Sequence, residues 1–223
     1  MHIMSRVDPA GDNFLLLGVT FDTKLLFQEA ITSCCSDAHW RLSSLLKTRR
    51  FFTDRDLVLH YKAHVLSYLE YRTPVFTHCS DSSLRALDVI QNRLLEIISI
   101  SDLEAFRHLN LAPLGLRRDI SNLGIIYRAV IGSGPKPLHK FFIQSQVTSR
   151  VSPRRLFNRY SLADPYRPLN RDYINRSVLG YIGIFNLLPD AIFVDARTDH
   201  SASIKVFQSN LVCFVKDCTE MNA

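Results

Sequence analysis

His60 and His64 stand four residues apart, the spacing that brings two imidazoles to one face of a helix and within reach of one metal ion. No glutamate follows His60, so the H-E-x-x-H arrangement of a metal-assisted hydrolase is not formed, and only His78 or Cys79 is left as a third ligand. They read as ordinary histidines of a helix surface, and no metal or cofactor is expected. Cys34, Cys35, Cys79, Cys213 and Cys218 form neither a C-x-x-C pair nor a zinc spacing, and read as buried or incidental thiols of a reducing compartment. Carboxylate pairs of the Y-x-D-D or F-x-D-D type, which would hold the two magnesium ions of nucleotidyl transfer, do not occur in the 223 residues. Nor do a P-loop, a G-x-G-x-x-G or a G-x-S-x-G. No catalytic residue is nominated.

Charge offers a different chemistry. The formal net charge is +6, with a pI near 9.2, and its distribution is uneven. Seven arginines, Arg150, Arg154, Arg155, Arg159, Arg167, Arg171 and Arg176, face only Asp164 and Asp172 between positions 147 and 176, while the rest of the chain is close to neutral. Phe157, Tyr160, Tyr166 and Tyr173 are interleaved with these cations. Arginines neutralise phosphates and aromatic faces stack on unpaired bases, so this stretch is the candidate for a nucleic acid; otherwise it is a solvated basic loop whose rings dock onto the core.

The positioning elements follow from periodicity. Asn13 to Asp22 is a short apolar run broken by Gly18, which reads as a strand or half a hairpin. Asp22 or Thr23 can cap the helix that follows, whose stripe is Phe27, Ile31, Cys34, Ala38, Leu42 and Leu45, with Lys47, Arg49 and Arg50 at its negative end. Thr53 with Asp56 opens a second helix striped by Leu57, Tyr61, Val65, Tyr68 and Leu69, which Pro74 ends or kinks. Ser80 to Ser83 caps a third with Leu87, Ile90, Leu94, Ile97 and Ile98, expected to lie beside the second. Residues 53 to 99 thus supply the longest amphipathic surface. Ser101 with Glu104 caps a short helix to Leu109, and Pro113 opens another that Gly132, Gly134 and Pro135 stop.

Beyond Phe142 the helical period is lost until Tyr173 to Leu188 and Ser203 to Lys216. The expected fold is mainly α: a multi-helix bundle with a short N-terminal β element, a basic loop and a small helical tail. The expected boundaries are a β element over 1–23, a helical domain over 24–143, a basic arm over 144–172 and a helical tail over 173–223. No apolar run approaches the roughly eighteen residues of a membrane span, and MHIMSRVDPAGD has no secretory pattern. The expected compartment is intracellular, nucleus or cytoplasm, with no membrane partner.

An ordered series of short motifs carries a resemblance. Leu17 to Asp22 (LGVTFD) is similar to the LGV-x-(F/L)-D element that follows the catalytic palm in reverse transcriptases of non-LTR, LINE and jockey-like retrotransposons. Tyr61 to Tyr71, Leu87 to Arg93, Leu111 to Leu114 with Arg117, Arg118 and Asp119, Asn186 to Pro189, and Ser203 to Lys205 with Phe207 resemble later parts of that family, in its order. The matching stretches run from about residue 14 to 216.

The resemblance implies a thumb-like and post-thumb region that grips template–primer nucleic acid, RNA or an RNA–DNA hybrid. Lys47, Arg49 and Arg50 become candidates for backbone contacts, beside Arg150, Arg154, Arg155, Arg159 and Tyr160 of the arm. The family is an RNA-directed DNA polymerase, but fingers, palm carboxylates and a zinc knuckle are not in this chain. A catalytically incomplete fragment is expected, with the polymerase palm or another protein as an alternative partner. The competing expectation is a helical protein-interaction module or a remnant without a nucleic-acid role.

Overall fold

The computed structural model describes residues 6–7, 13–77, 79–145, 158–166, 172–193 and 200–221. The fold is mainly α with a short N-terminal antiparallel sheet, as the periodicity predicts. The chain forms two compact units, residues 1–118 and 119–223, so the helical stretch expected over 24–143 is shared between them.

In the first unit β1 (Arg6–Val7), β2 (Asn13–Leu16) and β3 (Val19–Asp22) form an antiparallel sheet in sequence order. Leu17 and Gly18 join β2 to β3, both with positive φ, 50° and 76°. Two left-handed residues in a two-residue loop match the right-handed twist of the strands, which is why glycine stands here. The register pairs Phe14 with Phe21, whose rings stack at 5.1 Å. Phe21 meets Phe27 edge-on, and Phe27 meets Phe76, so a line of rings carries the sheet into the helical core.

Helix α1 (Gln28–Lys47) buries Ala30, Ile31, Cys34, Ala38 and Leu42. A 3-10 turn, Arg49–Phe51, leads to α2 (Asp54–Tyr61), which starts with the capping box of Thr53 and Asp56. The chain then continues through a π-helical segment, Lys62–Leu66, into α3 (Ser67–Tyr71). The helical run breaks at Arg72, just before Pro74, which sits in the first turn of α4 (Thr73–Phe76), where its missing N–H costs nothing. Helix α5 (Asp81–Ile98) is capped by Ser80, and α6 (Asp102–Leu109) by the Ser101–Glu104 box. The most extensive helix–helix contact of the unit is α1 with α5, so α5 lies mainly on α1 and not on the helix before it. Leu42, Leu57, Tyr61, Val65, Leu94 and Leu111 are fully enclosed in this core.

The second unit comprises most of α7 (Leu114–Val130), α8 (Lys136–His139), α9 (Asp172–Arg176), a 3-10 turn at Val178–Tyr181, α10 (Ile182–Leu187) and α11 (His200–Met221). Its centre is aromatic: Tyr127 stacks on Phe207 at 4.4 Å, and Phe185 and Phe193 close around them. Gly180 lies where a Cβ would collide with the backbone of Asn175, so the approach of α9 to the following turn requires glycine.

The Tyr61 hydroxyl is buried and has no hydrogen-bond partner among the described residues; burial raises its pKa above the ordinary phenol range. An orphaned hydroxyl opposes folding by about 1 kcal/mol. Tyr61→Phe, which keeps the ring, is expected to raise the unfolding midpoint by about 4 °C. Leu42→Ala, which opens a void, is expected to remove about 3 kcal/mol. Thermal melts of the two variants beside the parent chain check both signs.

Candidate nucleic-acid interface

Three of the nominated cations come together at the corner between α1 and α2. Thr48 closes α1, its hydroxyl donating to the Leu45 carbonyl at 2.6 Å. The Phe51 and Phe52 N–H groups then donate to Thr48 O and Arg49 O, at 3.0 and 3.1 Å. On the far side the Thr53 hydroxyl and the Asp56 carboxylate bond at 2.6 Å, and the Asp56 N–H returns to Thr53 Oγ1. The backbone of residues 48 to 53 is therefore held from both ends, while Lys47, Arg49 and Arg50 stay exposed. The Arg50 guanidinium lies 4.7 Å from the centre of the Phe51 ring. Phe52 sits 4.6 Å from the His60 ring, and His60 lies parallel to His64 at 6.2 Å. Arg55 adds a cation, and Asp54 and Asp56 are the nearest carboxylates in sequence, the latter turned onto Thr53.

The arm residues have a different setting. Arg159 Nη2 donates to Phe193 O at 2.8 Å, and the Arg159 N–H donates to the Asp190 carboxylate at 2.8 Å. Tyr160 packs against Phe193 and meets Tyr127 edge-on. Asn158 donates to Phe185 O and Leu188 O, and Asn186 exchanges hydrogen bonds with Leu162 in both directions. Positions 158–166 are therefore packed within the second unit. Arg150, Arg154 and Arg155 lie outside the described residues, as does His78.

Two of the thiols are set by burial. Burial, and then the neighbouring Cys34, push the Cys35 thiol up to about 11; burial, and then Asp22, do the same for Cys79. A thiol so raised is protonated at neutral pH and is a poor nucleophile. Among the described residues no group of three His, Cys, Asp or Glu side chains is placed to hold a metal ion, and no helix is long and apolar enough to cross a membrane.

Some motif residues bond to one another and others to residues outside the series, as Tyr68 does to Asp37 and Lys62 to Leu109 O. The Tyr71 hydroxyl donates to Leu17 O at 3.2 Å, and Arg72 Nη2 donates to Gly18 O at 3.1 Å while its guanidinium lies over Tyr68. Arg118 grips Asp88 with two bonds, 2.8 and 3.1 Å, and Arg117 pairs with Glu70. Gln91 donates to Ala112 O, and the Tyr181 hydroxyl to Asp119. Sequence reasoning did not find Trp40 or Phe51 as surface rings. The available signals were the chain's one tryptophan and an aromatic directly after an arginine pair.

Asp22 of LGVTFD acts as a loop cap and not as the N-cap of α1, which begins at a left-handed Phe27 without a side-chain cap. Its carboxylate accepts from the N–H groups of Lys24, Leu26 and Phe27, at 3.0, 3.0 and 2.6 Å. Desolvation is the largest single influence and raises its pKa; the N–H groups of Leu26, Phe27 and Lys24 together outweigh it, so the pKa ends below the ordinary value.

No protein-family model, curated protein or solved structure matches this chain.

A carboxylate whose folded pKa is depressed stabilises above its unfolded pKa, near 3.8, and loses that contribution as pH falls through the lower folded value. Asp22→Asn is therefore expected to melt below the parent chain at pH 7, with the gap narrowing as pH drops from 4 toward 2. Urea titrations across that range check the sign; a gap constant with pH would remove the role given to the charge.

Proposed function

We propose that this chain is the thumb and post-thumb region of a non-LTR retrotransposon reverse transcriptase, a helical module that contacts the template–primer through the α1–α2 corner. One observation carries the reading: within the first unit several stretches of the series bond to one another, Tyr71 to Leu17, Arg117 to Glu70, Arg118 to Asp88 and Gln91 to Ala112. The hairpin that opens the series leads directly into the helix that ends in Lys47, Arg49 and Arg50. Those cations carry no ion pair among the described residues, and exposed cations on a fixed backbone suit phosphates along a nucleic-acid backbone.

On this reading the chain binds and positions but does not polymerise by itself, because palm carboxylates are missing from its 223 residues. A second reading, a protein-interaction module, is favoured by the apolar residues left exposed about the hairpin, Leu17, Leu25 and Leu26. Phosphate binding separates the two.

The purified chain is expected to retard an RNA–DNA template–primer, with affinity falling steeply between 50 and 200 mM salt. The triple variant Lys47→Glu, Arg49→Glu, Arg50→Glu is expected to bind at least about a hundredfold more weakly while still folding, with a slightly lower melting point because an anion replaces Lys47 at the negative end of α1. Binding indifferent to both salt and charge reversal would favour the protein-interaction module. Extension of the primer with magnesium and deoxynucleotides would refute catalytic incompleteness.

A further inference from the structure

We propose that the α1–α2 corner binds an unpaired strand, with Trp40 and Phe51 stacking on its bases and Lys47, Arg49 and Arg50 holding its phosphates. This deepens the preceding reading by naming a single strand as the ligand of the corner, and rests on it only for the choice of a nucleic acid as partner.

The argument starts from the α1 surface. Its buried stripe runs through Ile31, Cys34, Ala38 and Leu42, and the opposite face runs through Ser33, Ser36, Trp40, Ser43, Ser44 and Lys47. Trp40 is the chain's single tryptophan and is 71% exposed. Serines before and after it leave the indole standing clear of long side chains. Lys47 follows on the same face two turns later, about 10 Å along the axis. The 3-10 turn then presents Arg49, Arg50 and Phe51, the last 69% exposed. Along the chain two exposed rings, Trp40 and Phe51, thus flank Lys47, Arg49 and Arg50, an alternation of stacking and charge.

That alternation discriminates between ligands. In a duplex the base faces are already stacked on each other, so a protein meets phosphates and groove edges and an exposed ring has no face to cover. An unpaired strand offers both base faces and phosphates, and aromatic platforms beside cations are how such strands are held without sequence readout. The charge balance permits it: Lys47, Arg49, Arg50 and Arg55 stand against Asp54 and Asp56, and Asp56 is occupied by Thr53. The caps at Thr48 and Thr53 fix the backbone before any ligand arrives, which lowers the ordering cost of binding.

Because Trp40 is the one tryptophan, its fluorescence reports on this corner alone. Titration of the full chain with twenty-nucleotide oligo-dT or oligo-U is expected to quench it. The affinity is expected to fall roughly as the square of salt concentration, as three phosphate contacts on a single strand require. Phe51→Ala is expected to weaken binding about tenfold, and Trp40→Ala likewise when read by anisotropy of a labelled oligonucleotide. Lys47→Glu with Arg50→Glu is expected to weaken it further. All four positions are exposed, and melting curves confirm that each variant folds.

A blunt-ended duplex of equal length is the control. If the ring variants lose the single strand and keep the duplex, both proposals stand. If the single strand quenches Trp40 and no duplex or hybrid binds, the template–primer reading falls and this one stands. Absence of quenching by either oligonucleotide, or single-strand binding unchanged in Phe51→Ala and Trp40→Ala, overturns this proposal whatever the duplex does.

Discussion

The buried stripe of α1 is the constraint on which the first unit depends. Ala30, Ile31, Cys34, Ala38 and Leu42 give that helix one narrow apolar face, and α5 is laid along it. Small residues at 30, 34 and 38 let the partner come close, and Leu42 is fully enclosed at the end of the row. Once that face is committed, the opposite face is committed to solvent. The exposure of Trp40 and Lys47 is thus a geometric consequence of where the core lies.

Polar groups in this protein act mainly as ties on that apolar frame. The hairpin has few buried residues of its own; Val19 is its one side chain in the core. What seats it is the ring series from Phe14 to Phe76 and the two donors, Tyr71 and Arg72, that reach the carbonyls of its turn. A left-handed two-residue turn points those carbonyls outward, so the turn geometry and the donors depend on each other. Arg118 and Asp88 repeat the arrangement between α7 and α5, as a two-bonded pair that fixes direction as well as distance.

Local chemistry was legible in the sequence and distant chemistry was not. Thr53 with Asp56, Ser80 with Ser83 and Ser101 with Glu104 cap their helices because capping needs only residues three apart. The hairpin about Gly18 and the stop at Gly132 are likewise local, and both glycines have positive φ. The π-helical segment at 62–66 was not legible, since Leu57, Tyr61, Val65 and Leu69 keep an ordinary helical spacing across it while Leu66 joins the core as well. The pairing of α5 with α1 rather than with its predecessor was hidden for a similar reason. An apolar stripe announces that a face is buried, not against which helix.

The same distinction decides which cations are available to a ligand. Counting arginines pointed to the stretch around 150–176, of which Arg150, Arg154, Arg155, Arg167 and Arg171 lie outside the described residues, Arg176 is exposed, and Arg159 has partners in the fold. Arg159 is claimed by the Phe193 carbonyl, and Tyr160 beside it by the rings of the second unit. Lys47, Arg49 and Arg50 were unremarkable by count, being three cations at the end of a helix. They are exposed and in no ion pair among the described residues, with caps on either side that use the local backbone groups and Arg50 lying over the Phe51 ring. A helix C-terminus also favours cations through its partial negative charge, which accounts for Lys47 without any ligand. It does not account for Phe51, whose exposure gains nothing from the helix dipole. The ring, more than the charge, is what the helix itself leaves unexplained at this corner.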